Sequence, residues 1–153
     1  TFDPLVTRID SKLASKIVWM DSLLTNVDRT SRNTNMLIWH KELWLIDHGA
    51  SLYFHHSWEN WEEQARRPFV QVKDHVLLPF AEDMEDVDKE FKEILTPQII
   101  KEIVDLIPNS WLNFGGDESP EELRNVYEQF LVTRLTVSDK FVTEAQNARK
   151  ALI

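Results

Sequence analysis

A chain of 153 residues with 42% apolar content is long enough to bury one substantial core and too short for two ordinary domains. Its net charge of -9 excludes a broad nucleic-acid or anionic-membrane surface, which needs clustered Lys and Arg. Without Cys there is neither a disulfide framework nor a thiolate metal site, and no apolar run approaches the length of a membrane span, so a cytoplasmic location is expected.

In chain order, the segment Thr1 to Val6 precedes any periodic stretch and holds an extended Asp3-Pro4 step. From Arg8 to Thr25, apolar residues at Ile9, Leu13, Ile17, Met20 and Leu24 recur near the helical repeat and predict a buried helix that ends as a loop begins. Asn35 to Trp39 and Leu43 to Ile46 are short apolar runs separated by His40, Lys41 and Glu42, the pattern of a β-hairpin with a tight turn. Gly49 then lets the chain turn sharply after Asp47. Tyr53, Phe54, Trp58 and Trp61 lie at near-helical spacing and are expected in the core. His55 and His56, even with His40 and His48 nearby in sequence, lack the spacing of a metal-ligand set.

Much of the negative charge lies between Glu82 and Glu93. Glu82 to Asp88 lacks the alternation, central Gly and terminal Glu of a calcium loop, and reads as a solvated helix start whose acids complement the helix dipole. Val87, Phe91, Ile94 and Leu95 mark that helix; Thr96 caps and Pro97 starts another, running through Ile107 and ended by Pro108. Asn113 to Asp117 is a loop. Ser119-Pro120-Glu121-Glu122 combines an N-cap, a first-turn Pro and a capping-box Glu, so a long helix should follow. Its buried face is Leu123, Val126, Tyr127, Phe130, Leu131, Leu135, Phe141, Val142 and Ala145, with a break near Ser138-Asp139. The expected fold is α+β, mainly α: a helical bundle with one small β-hairpin.

The chemistry-bearing residues fall between Asn26 and Gly49. Phosphoryl transfer to a hydroxyl requires little covalent work from a protein, but it requires a group that orients the acceptor proton and oxygen ligands that hold divalent metal against the phosphates. In the kinase pattern an Asp takes the first role, an Asn five residues on ligates metal, and a second Asp beyond a hairpin does the same. Asp28, Asn33 and Asp47 stand at those intervals, and His48-Gly49 follows where a kinase has Phe-Gly. Helix, catalytic loop, hairpin and metal Asp come in the kinase order.

The stretch from Thr25 to Leu37, opening Asn26-Val27-Asp28-Arg29, followed by Leu45-Ile46-Asp47-His48-Gly49-Ala50, resembles the HipA-like kinases, with a weaker likeness to phosphatidylinositol kinases and aminoglycoside phosphotransferases. Thr30 departs from the pattern, standing where HipA proteins often carry His. The resemblance implies a protein-kinase-like C-lobe whose hairpin carries the metal-binding Asp. It makes Asp28 the catalytic base with Arg29 beside it bracing the loop, Asn33 and Asp47 the ligands of Mg2+, and Asn33, Asp47, His48 and Gly49 the residues facing ATP. The acceptor it implies is a protein Ser or Thr hydroxyl; lipid or small-molecule hydroxyls, or a non-catalytic interaction module, are the alternatives.

A kinase N-lobe supplies a glycine-rich loop and a strand Lys that grip the phosphates. The three glycines are Gly49, Gly115 and Gly116, which cannot form such a loop, and Lys12 and Lys16 fall on the first helix. The expectation is therefore a C-lobe whose N-lobe belongs to the same longer protein or to a second subunit, and which alone transfers phosphate poorly or not at all. No nucleic-acid or membrane partner is expected.

Overall fold

The computed structural model describes residues 2–3, 6–56, 58–113 and 115–152. Pro4 of the expected Asp3-Pro4 step and Phe114 of the glycine loop lie outside them. Among the described residues the protein is mainly helical, with helices α1 (Ser11–Leu23), α2 (Trp61–Ala65), α3 (Met84–Ile94), α4 (Pro97–Asp105), α5 (Pro120–Thr136) and α6 (Ser138–Lys150). Strands β1 (Met36–Trp39) and β2 (Glu42–Leu45) form a two-stranded antiparallel sheet.

Helix α1 is the central element, packed against α3, α5 and α6. Asp10 caps it by accepting from the Leu13 N–H at 2.9 Å. Because neighbours surround it, its buried set includes Ala14, Ile17, Val18, Trp19, Asp21, Ser22 and Leu23 rather than the single stripe that periodicity predicts, and Leu13 is left 40% exposed. Fully buried Trp19 meets Phe91 of α3 and Phe141 of α6 edge-on at 4.9 and 5.5 Å, and its indole N–H donates to Asp88 Oδ1 at 2.9 Å. Lys12 and Lys16 both reach Glu90 on α3, at 2.9 and 2.6 Å, so the charges along this edge are partnered rather than merely solvated.

The remaining helices follow their sequence signals with local differences. Ser119 and Glu122 form the expected capping box of α5, Thr96 caps α4 by accepting from the Ile99 N–H, and the expected break between the last two helices falls at Val137. Helix α4 stops at Asp105, two residues short of Ile107. On α3, Ile94 is exposed because the packed face is carried by Met84, Val87, Phe91 and Leu95. Phe54 is buried and stacks on Phe130 at 4.2 Å, with Trp58 against Tyr127 at 5.5 Å, whereas Tyr53 is 59% exposed and lies outside the expected core.

The hairpin register pairs Met36 with Leu45 and Trp39 with Glu42. Glu42 is thus a strand residue, and the connection is the two residues His40 and Lys41, both left-handed at φ 49° and 67°. Two-residue loops of this hand match the natural twist of the strands, so the shorter turn replaces the three-residue one read from the sequence.

The end of α1 sets up the site. Asn26 N–H reaches back to the Asp21 carbonyl at 2.8 Å and Thr25 N–H to the Ser22 carbonyl at 3.4 Å, the paired bonds of a Schellman termination. Thr25 occupies the left-handed position at φ 52°, which usually belongs to Gly and which a β-branched residue adopts under strain. Thr25→Gly should therefore raise unfolding stability, by up to about 1 kcal/mol after the extra chain entropy of Gly is subtracted; urea unfolding of the two proteins measures it, and a destabilised variant would show that the termination is unstrained.

Candidate active site

The Schellman turn delivers Asn26 into a buried polar cluster centred on Asp21. Asp21 is 2% exposed and receives Arg29 Nε at 2.6 Å, His75 Nε2 at 2.9 Å and Asn26 Nδ2 at 3.0 Å. Leu77 N–H donates to His75 Nδ1 at 3.0 Å, which leaves the imidazole proton on Nε2, aimed at Asp21. Burial would push the Asp21 carboxyl up, but the hydrogen bonds from His75 and Arg29 prevail and hold it below the usual carboxylate range. Burial pushes the His75 imidazole down, against the pull of Asp21, so His75 is the neutral donor of the cluster.

Arg29, 1% exposed, carries the order outward. Its Nη1 donates to the Asn35 carbonyl at 2.5 Å, its Nη2 lies 3.4 Å from His48 Nδ1, and its own carbonyl accepts from Val76 N–H at 3.0 Å. Thr30 pairs with His75 in an isolated antiparallel bridge. Residues 75–76 thus clamp the loop just after Asp28.

On this base Asp28 and Asn33 come into direct contact. Asp28 Oδ2 accepts from Asn33 Nδ2 at 2.7 Å and Asn35 Nδ2 at 3.1 Å, and Asp28 N–H bonds Asn26 Oδ1 at 3.2 Å. The hairpin returns to the same point, since Ile46 N–H donates to the Asn35 carbonyl at 2.9 Å, immediately before Asp47. Asp47 sits at φ 52°, exposed, with Oδ1 turned toward the Gly49 N–H at 3.4 Å. A Cβ on Gly49 would meet that oxygen at 3.4 Å, an ordinary contact, and the left-handed residue of the turn is Asp47 rather than the expected Gly49. Asp28 and Asn33 are in direct contact; Asp47 joins them through Asn35 and the strand end.

A sequence profile of the HipA-like kinase family matches residues 4–143, nearly the whole chain. The chain belongs to the HipA-like kinases. No curated protein and no solved structure matches it. Membership makes it part of a phosphotransferase family.

Asp21, Asn35 and His75 were not singled out by sequence reasoning, and Asn26 was read as the opening of the motif without a role of its own. Asp21 had a signal: it lies one turn after Ile17 on a helix predicted to be buried, where an acid needs partners. His75 had none, because its role depends on a contact across 54 positions. His55, 3.1 Å from the Tyr127 hydroxyl, belongs to the aromatic cluster, and no group of three His, Cys, Asp or Glu suited to a metal occurs among the described residues. Asn33 and Asp47 offer an amide and a carboxylate oxygen, hard donors of the kind Mg2+ takes when phosphates complete its shell.

Both perturbed groups of the cluster make acid destabilising. A depressed pKa contributes stability that is present above the unfolded value and is lost as pH falls toward the folded one, so His75 should weaken the fold from pH 6.5 downward and Asp21 from 3.8 downward. Urea midpoints across this range should fall, and His75→Gln should flatten the upper part of the curve. An unchanged upper slope in that variant would show that His75 is not the group that titrates.

Proposed function

We propose that this chain is the C-lobe of a Mg-ATP-dependent HipA-like kinase that phosphorylates a protein Ser or Thr hydroxyl. The observation that carries the reading is that Asp28 holds Asn33 at 2.7 Å and is linked through Asn35, by bonds of 3.1 and 2.9 Å, to Ile46 just before Asp47. Both Asn amides fall on Asp28 Oδ2, which leaves Oδ1 without a protein partner among the described residues and open to a substrate hydroxyl. In this role Asp28 orients the hydroxyl and accepts its proton as the phosphorus–oxygen bond forms.

Asn33 and Asp47 would hold Mg2+, which when bound supplies positive charge against the transferring phosphoryl group. With its Nδ2 donated to Asp28, Asn33 keeps its carbonyl oxygen for that purpose. His48 and Gly49 would lie along the phosphates. Arg29 is a positioning residue in this scheme: its guanidinium is spent on Asp21 and the Asn35 carbonyl, fixing the peptide from which Asn35 holds Asp28. The reading places the protein in the cytoplasm with its nucleotide, and no described helix is long and apolar enough to cross a membrane.

An N-lobe from the same longer chain or a second subunit completes the nucleotide grip. The hairpin supports this, because Leu37, Ile38, Trp39, Trp44 and Ile46 are 37–59% exposed beside the site. In the protein carrying both lobes, Asp28→Asn should keep nucleotide binding and lower turnover on the order of 10²–10⁴-fold, the usual contribution of a general base. Asp47→Ala should lose Mg-dependent nucleotide binding, read by calorimetry with and without EDTA. Undiminished transfer in Asp28→Asn would remove the base assignment, and turnover by the C-lobe alone, abolished by that substitution, would remove the need for a second lobe.

A further inference from the structure

Arg134 on α5 is a buried cation with no carboxylate partner among the described residues. It is 1% exposed; Nη1 donates to the carbonyls of Ala65 and Arg67 at 3.4 and 3.2 Å, Nη2 to that of Ser22 at 2.6 Å, and Nε has no partner. Its guanidinium carbon lies 5.1 Å from the Phe141 ring centroid and 5.9 Å from that of Phe130. The carbonyl partners lie at or just past the C-terminal ends of α1 and α2, so among the described residues the charge is compensated by carbonyls, helix-end dipoles and ring faces. Burial draws its pKa down to about 10. An ion held this way retains a strong preference for a full negative charge.

Arg134 also lines a cavity of about 730 Å³ that opens beside the Asp28 loop. Val27, the residue before Asp28, forms part of its wall, and adjacent Cα atoms are only about 3.8 Å apart. Phe69 and Phe130 make other walls apolar, which suits the stem of a side chain and strengthens electrostatic attraction within. Gln64 and Gln71 add neutral hydrogen-bonding groups, and Arg67 a second cation. Arg67 pairs with Glu63 in an exposed contact one helical turn apart, a kind that contributes little and is easily exchanged. No Asp or Glu lines the cavity.

We infer that this cavity docks an acidic side chain of the acceptor segment, a Glu or Asp within a few residues of the hydroxyl that is phosphorylated, which pairs with Arg67 at the rim and is drawn in by the enclosed charge of Arg134 behind the wall. The inference rests on the kinase reading for the word acceptor; the charge preference of the cavity stands on its own geometry.

The test uses the protein carrying both lobes and two fluorescein-labelled decapeptide libraries with a fixed central Ser, alike except that one contains Glu where the other contains Gln. Fluorescence anisotropy without nucleotide should show the Glu library binding at least about tenfold more tightly. Val70→Asp, at a half-exposed position in the cavity wall, adds a negative charge without touching the bonds of Arg134 and should abolish the difference. Arg134→Gln should do the same, and if it fails to fold because it ties the ends of α1 and α2, Val70→Asp still decides. Asp28→Asn should leave the difference intact. Equal binding of the libraries, or a preference that survives Val70→Asp, overturns the inference. Phosphate transfer with equal binding leaves the kinase reading standing and removes the docking site; a Glu preference without transfer does the reverse.

Discussion

Asp21 is the point on which the site depends. A carboxylate taken out of water costs several kcal/mol unless it is paired and hydrogen-bonded, and this one is satisfied by three side chains from three places in the chain: Asn26 from the turn after α1, Arg29 from the loop and His75 from a distant segment. Removing any donor leaves charge buried and underpartnered. The loop conformation is thereby tied to the stability of the core, so the position of Asp28 does not depend on bound ligand to hold it. Arg29 extends the same constraint to Asn35, and Asn35 extends it to Asp28 and the hairpin end.

Backbone strain accumulates around this anchor. Thr25, Asn35, Asp47 and Leu52 all have φ between 48° and 54°, a region where L-residues are uncommon. Asn and Asp tolerate it because their side chains bond locally, whereas Thr and Leu are held there by surrounding bonds, including Leu52 N–H to the Leu24 carbonyl at 2.7 Å. The stable cluster beneath and the tight returns above serve one outcome, in which the Asp28 loop and the strand end before Asp47 are held together through Asn35.

Much of this was legible in the chain. The spacing of Asp28 and Asn33 corresponds to a direct contact at 2.7 Å, and local signals placed the capping box at Ser119, the Pro97 start and the hairpin runs correctly, because each depends on neighbours a few residues away. What escaped depends on distance or surroundings. The place of Asp21 one turn after Ile17 points inward, but an Asp on a helix normally faces water, and it is the enclosure of α1 by α3, α5 and α6 that makes this one an anchor. The same enclosure blurred the apolar stripe and misassigned Leu13. Arg134 reads as an ordinary helical cation until its 112-position reach to the Ser22 carbonyl is seen. The hairpin turn was drawn one residue too long because His40 and Lys41 are not the Asn-Gly pair that advertises a left-handed loop.

The two bonds that bracket Asp47, from Ile46 N–H to the Asn35 carbonyl and from Leu52 N–H to the Leu24 carbonyl, pin the chain on either side of the His48 turn. The span between them is a short bridge with fixed abutments. A wide swing of the Asp47 segment out of the site would have to break those abutments, whereas rotation of the carboxylate or a flip of a single peptide would not. Motion available at this acid on the timescale of ligand exchange is therefore rotameric and local, nanoseconds to microseconds rather than the slower travel of a whole activation segment.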